Sequence, residues 1–189
     1  CAGPGTVALK FSHKLLWVRN GAGPELSCPH SLFEVGLEEG GSWTVDQATC
    51  TQLITSLQFD ASAEDRQVFQ RGNVLGAFAV FAILLQRRAG YGVTRHLTLP
   101  RIEDTAVAAV EHVWAPAAQQ AAGLAGQFVE IICGKLAAPD EKLFEVVFNF
   151  EKACQPGPMI EHRYLNAAAI ERGIPAVLRP PHDLLLGHG

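Results

Sequence analysis

The stretch Val74 to Leu85, VLGAFAVFAILL, carries no charge and is apolar on every side. A helix of that kind has no polar face to give to water, so it is either the centre of a core or a membrane span. Twelve residues rise only about 18 Å, well short of the roughly 30 Å hydrocarbon layer of a bilayer. The stretch therefore predicts a helix enclosed by the rest of the chain. Arg87 and Arg88 follow it, where cations are favoured by the helix dipole. The surrounding composition can supply the enclosure: 48% of the 189 residues are hydrophobic, which argues against disorder. The length suits one domain, or one domain and the start of another.

Around this rod the pattern alternates between strand and helix signals. Val7 to Val18 reads as strand, most firmly at Leu15 to Val18. Asn20 to Pro29 is a Gly- and Pro-rich loop. Ser31 to Glu38 is a second strand with Phe33, Val35 and Leu37 on one face and Leu32, Glu34 and Gly36 on the other. Gly40-Gly41 is a turn. Thr44 to Phe59 is a helix, with Thr44 and Gln47 in capping-box spacing. Ala61 to Gly72 is polar and carries Glu64, Asp65, Arg66 and Arg71. Val93 to Leu99 alternates as a strand, and another is expected at Ala108 to Val113. Pro116 opens a helix running to about Cys133, ended by Gly134, and Lys135 to Glu141 is a loop. Leu143 to Cys154 fits helix or strand. Gln155-Pro156-Gly157-Pro158 is the best linker, which divides the chain into 1–155 and 156–189.

The tail, Tyr164 to Gly189, predicts a helix rich in alanine. Gly173 stands where a left-handed residue closes a helix. A short strand from Ile174 to Leu178 follows, interrupted by Pro175, and Pro180-Pro181 ends it. The apolar Leu184-Leu185-Leu186 then leads into Gly187-His188-Gly189, which suits a close approach to a ligand or to backbone.

The run Ala169-Ile170-Glu171-Arg172-Gly173-Ile174-Pro175, followed by Leu184 to Gly189 as LLLGHG, resembles the linker and first ATP-grasp elements of cyanophycin synthetase-like ligases. Gly72 to Gly90 resembles the buried helix of that family's N-terminal domain, with Gln86 and the following Ala-Gly retained. Val107 to Ile132, including Val110-Glu111-His112, resembles the domain's last strand and helix. One departure stands out. The family helix carries a Gly-His-x-x-Glu-His-like pattern, and here those positions fall in the apolar run Leu75 to Ala82. That sets aside any role tied to those polar groups. The resemblance implies an ATP-dependent carboxylate–amine ligase that activates a carboxylate as an acyl phosphate for attack by an amino acid amine. It implies that ATP and Mg²⁺ are handled beyond Gly189, with no cofactor in this chain. It further implies that this region binds the growing peptide or polymer and supports homo-oligomer contacts. The other reading is a non-catalytic binding or assembly module that lacks the ligase domain.

The polar residues suggest few sites. Arg66, Arg71, Arg87, Arg88, Arg95 and Arg101 fall close together in sequence. Arginine forms bidentate bonds with carboxylates, so several on one face would hold an acidic polymer or peptide; taken singly, each reads as a solvated helix end or loop residue. Cyanophycin joins an aspartate backbone to arginine, so a receptor for it would use both signs. Glu111 and His112 are neighbours on a strand and would point to opposite faces, which favours a structural role over an acid–base pair. Cys28-x-His30 lacks a second Cys/His pair at zinc spacing. Ser56, Asp60 and His96 form a triad only on paper, without a nucleophile elbow. The glycines at 72 and 76 are not followed by Lys-Ser/Thr, so a Walker loop is absent.

Five cysteines, with no C-x-x-C, make a disulfide framework an unlikely design and favour a reducing cytosol. No signal pattern is visible. Cys1 is read as a trimmed end, against a lipidated mature terminus or an N-terminal nucleophile. The net charge of −4 weighs against a general nucleic-acid binder, and neither nucleic acid nor membrane is expected as a partner. The expected fold is α/β (α+β). A small mixed sheet of about four strands is covered by helices around the central rod, and the first ATP-grasp elements follow.

Overall fold

The computed structural model describes residues 11–37, 43–102, 105–137 and 140–155, and beyond them 162, 165, 168–169, 172–174, 176–179 and 183–186. Val7 to Lys10, Gly40-Gly41, Pro156 to Pro158, Pro175, Pro180-Pro181 and Gly187 to Gly189 lie outside the described residues. In chain order the elements are β1 (Phe11–Arg19), β2 (His30–Leu37), α1 (Gln47–Ser56), α2 (Ala63–Gln70), α3 (Val74–Arg88), β3 (His96–Ile102), β4 (Thr105–Glu111), α4 (Ala115–Ile132), α5 (Asp140–Ala153), β5 (Ala176–Arg179) and β6 (Asp183–Leu186).

The apolar run becomes α3, and it is enclosed as its composition requires. Every residue from Gly76 to Gln86 is buried. Asn73 caps its start through Oδ1, which accepts the Gly76 amide, and Arg87 and Arg88 occupy its last turn. The helix packs on α2, α4, β3 and β4. Phe78 meets Phe11 at 5.2 Å and Phe33 edge-on at 6.0 Å. One turn on, Phe81 meets Phe69 at 4.9 Å and Phe128 at 5.4 Å. Facing α3, helix α4 presents Ala117, Ala121 and Ala125, all fully buried, at the four-residue spacing that puts small side chains on one stripe.

The expected small sheet has four strands in the order β1-β2-β4-β3. Its pairings are antiparallel throughout, where a mixed sheet was expected; the described helices join no two neighbouring strands as a parallel crossover. Alternation along β2 works as read. Phe33 and Val35 enter the main core with Ala108 and Val110 of β4, beneath α3 and α4.

Several local readings change. The first helix is capped by Asp46 and not by a Thr44–Gln47 box: the Asp46 carboxylate accepts from the Ala48 and Thr49 amides. Gln47 turns away and donates to the Phe69 carbonyl at 2.6 Å. The polar stretch Ala61 to Gly72, left without an element in the sequence reading, holds α2, whose capping box is formed by Ser62 and Asp65. The strand expected from Val93 begins at His96, because the Thr94 and Arg95 amides bind the Glu111 carboxylate instead of a strand. The one expected at Ala108 to Val113 runs from Thr105 to Glu111. The ambiguous Leu143 to Cys154 segment is helical, within α5.

In the tail, Gly173 adopts φ +66° and Ile174 N–H returns to the Ala169 carbonyl at 2.8 Å. That is the left-handed helix closure expected at this glycine. The segment containing Leu184 to Leu186 then folds back on β5 as β6, Val177 opposite Leu185, in an antiparallel pair separate from the four-stranded sheet.

Candidate functional site

Two of the six arginines, Arg87 and Arg88, are drawn into the fold. Arg87 donates through Nε to the Val93 carbonyl at 2.8 Å and through Nη1 to Asp65 at 2.7 Å. Arg88 bonds the Glu151 carboxylate and the Leu57 carbonyl. These two therefore tie α3 to α2 and α5. Arg95 is exposed and donates to Ser27 Oγ at 2.9 Å. Arg66 and Arg71 are exposed on and just after α2. Arg66 also lines a groove of about 300 Å³ between α1 and α2, with Thr51, Cys50 and Gln70. Arg101 lies on β3, and its side chain is outside the described residues. Among the described side chains of this set, those of Arg66, Arg71 and Arg95 are exposed.

A buried polar cluster closes one end of the sheet. Glu111 accepts the Thr94 amide at 2.6 Å and the Arg95 amide at 2.7 Å. Gln86, fully buried on α3, donates to the Glu111 carbonyl at 3.1 Å. Next in sequence, His112 turns to Ser31, Nδ1 to Oγ at 3.1 Å. Glu111 and His112 thus have separate partners, as strand alternation requires. Burial, with the neighbouring His30 charge second, pushes the His112 ring down to about 4. His30 is fully buried, with Nδ1 2.7 Å from the Cys28 carbonyl and Nε2 3.3 Å from the Glu25 carboxylate. Burial, then the Glu111 carboxylate, raises the Cys28 thiol to about 11. Burial likewise raises Cys50 to about 12 and Cys133 to about 11. None of these three thiols is a thiolate near neutral pH, so none is an activated nucleophile. Ser31 and His112 have the spacing of a nucleophile and base, yet they are 0% and 3% exposed. Their bond holds β2 to the end of β4. Among the described residues no group of three His, Cys, Asp or Glu side chains is placed to hold a metal ion. Ser56 donates into its own helix, to Gln52 and Leu53 carbonyls.

The sheet's other face lies away from α3 and α4. Strand register places its side chains in rows. Trp17, Leu32, Ala109 and Leu97 make one row across all four strands; Lys14, Glu34, Val107 and Leu99 make the next. Leu32 and Ala109 are buried but stand outside the main core, while Trp17 is 43% and Leu99 47% exposed. Sequence reading missed both this face and Ser31. The alternation of β2 marks two faces, but the residues that strands β1, β3 and β4 add to each depend on long-range register.

No protein-family model matches the chain, and no curated protein matches it. No helix among the described residues is long and apolar enough to cross a membrane.

Proposed function

We propose that the chain is the N-terminal region of an ATP-dependent carboxylate–amine ligase similar to cyanophycin synthetase, working in the cytosol as part of a homo-oligomer. Its own task is to hold the growing peptide or polymer while a following ATP-grasp domain performs the ligation. The observation that carries this reading is the order of elements about the residues of the resemblance. A buried helix ends in Gln86, Ala89 and Gly90, and the Gly173 closure leads into a hairpin separate from the first sheet. Gln86 bridges α3 to the end of β4, and Gly90 takes φ +86°, a conformation that glycine adopts readily. Both therefore have structural work to do at the positions the resemblance marks.

No ligation step is assigned to the described residues; ATP and Mg²⁺ are assigned to the following domain. The polymer contacts are assigned to Arg66, Arg71 and Arg95, whose guanidinium groups are exposed and suited to carboxylates. The apolar character of Leu75 to Ala82, buried from Gly76 on, favours the second reading, a binding or assembly module without ligase chemistry. Two measurements decide. The codons after Gly189 either continue into an ATP-grasp sequence or stop. The 189-residue chain, titrated with a fluorescent aspartate-backbone peptide bearing arginine, binds it more weakly once Arg66, Arg71 and Arg95 are replaced by alanine. Unchanged binding refutes the assignment of sites, and ATP-dependent ligation by this chain alone refutes the division of labour.

A further inference from the structure

Helices α1 and α2 border a groove of about 300 Å³, at the small end of the range for ligand pockets. Its floor is apolar, made of the buried Cys50, Ile54 and Phe69. Its rim is polar and exposed, formed by Gln47, Thr51, Arg66 and Gln70. The two walls are tied together, since Gln47 Nε2 donates to the Phe69 carbonyl at 2.6 Å. Burial keeps the Cys50 thiol neutral, and the Arg66 guanidinium lies near enough to oppose that shift. Among the described residues lining the groove, Arg66 carries the one charge. Its Nε donates to the Ala61 carbonyl at 3.3 Å, and it forms no ion pair with another described residue.

These features select the chemistry of a ligand. A planar guanidinium pairs bidentately with a carboxylate. A free amino acid brings an ammonium as well, and no described lining residue is acidic, so that charge would lose water without gaining a partner. Inorganic phosphate would meet the arginine and leave the apolar floor unused. The Thr51 hydroxyl proton is committed to the Gln47 carbonyl at 2.8 Å, so its oxygen remains an acceptor for an amide N–H. Gln70 adds a carboxamide to the same rim. We propose that the α1–α2 groove binds the free C-terminus of a peptide that ends in an apolar residue such as leucine. Arg66 holds the carboxylate, Thr51 accepts the terminal amide N–H, and the side chain lies over Ile54 and Phe69. One guanidinium and one apolar side chain give a modest affinity, with a dissociation constant of about 1 mM. The inference shares Arg66 with the polymer reading but takes a different ligand, and it stands whether or not the chain belongs to a ligase.

Backbone-amide NMR of the 189-residue chain tests it, the same spectra confirming that each variant is folded. N-acetyl-L-leucine, the minimal probe, is expected to shift the amides of Thr51, Ile54, Arg66 and Gln70 and to saturate near about 1 mM. N-acetyl-L-leucinamide, which lacks the carboxylate, and free leucine, which adds the ammonium, bind about tenfold more weakly or worse. Acetyl-Ala-Ala-Leu binds as well as the minimal probe, because its upstream residues leave the groove into solvent. Arg66→Met weakens binding by about tenfold and Thr51→Val by a smaller factor, while Arg71→Ala leaves it unchanged. No shift at about 20 mM probe, well above that constant, overturns the inference. So does equal binding of the leucinamide, or indifference to Arg66→Met. Inorganic phosphate shifting the same amides as strongly would make this an anion site without an apolar subsite. Exclusion of the tripeptide would limit the groove to small acylated amino acids and overturn the peptide assignment. Failure here leaves the titration with the arginine-bearing peptide untouched, since Arg71 and Arg95 lie outside the groove.

Discussion

The two faces of the four-stranded sheet share the same strands and differ by one step of alternation, yet they obey different rules. The inner face gives Phe11, Phe33, Val35, Ala108 and Val110 to a core that α3 and α4 complete. The outer face has a buried centre, Leu32 and Ala109, ringed by partly exposed Trp17 and Leu99. At one end it meets the polar cluster of Glu25, His30 and Glu111. One face is finished within the chain and specifies the fold. The other is buried at its centre and exposed at Trp17 and Leu99. The contrast teaches that burial alone does not define this core: Leu32 is as deeply buried as Leu53 but belongs to a different surface.

The sharpest way to break this comparison is at Phe78, fully buried between Phe11 and Phe33. Phe78→Ala removes ring contacts and leaves a cavity, and it is expected to cost about 3–5 kcal/mol in urea unfolding. A loss under about 1 kcal/mol would show that the inner face is loosely packed.

The polar end of the sheet gives the next largest effect. His112 titrates near 4 in the fold against an ordinary 6.5. A ring with a lowered folded value stays neutral while the unfolded chain takes up the proton. Its contribution is therefore complete above pH 6.5 and is lost as pH falls toward 4. The loss amounts to about 3 kcal/mol across that window. His13 and His96 are lowered by burial and act in the same direction. Replacing His112 with Gln should flatten the stability–pH curve between 6.5 and 4 relative to the parent; an unaltered slope would remove His112 as its source.

A smaller effect is expected at Arg87, which binds Asp65 and the Val93 carbonyl. Arg87→Met leaves a nearly buried carboxylate without its partner, at a cost of about 2–3 kcal/mol. Raising the pH should not rescue it. The smallest effect belongs to the outer face. Leu99→Ser is expected to shift the unfolding free energy of the dilute chain by under about 0.5 kcal/mol. A larger loss would mean that this face is part of the monomer's own core.

The central helix was legible because twelve apolar residues in succession leave no alternative at that length. The faces of β2 were legible because a period of two needs no partner to be seen. The C-terminal glycine closure was legible for a similarly local reason: Gly173 tolerates the left-handed backbone that closes the preceding helix. Misreadings arose where two local signals competed. Thr44 and Gln47 had capping-box spacing, yet Asp46 lies between them and its carboxylate reaches two amides at once. Helix α2 was hidden by its polarity, since its packing depends chiefly on Phe69 and Asp65, while its cap uses Asp where the usual signature has Glu or Gln. The candidate sites were less legible still. Spacing cannot reveal that Arg87 and Arg88 would be drawn inward by carbonyls of distant segments. Nor can it align Trp17 with Leu97, which lie at opposite edges of the sheet.

The irregularity in β1 between Leu15 and Trp17 has a consequence for growth. A lateral strand needs an unbroken ladder of free amides and carbonyls, and an extra residue at the margin interrupts that ladder. This margin therefore resists fibre-like extension by side-by-side strand pairing.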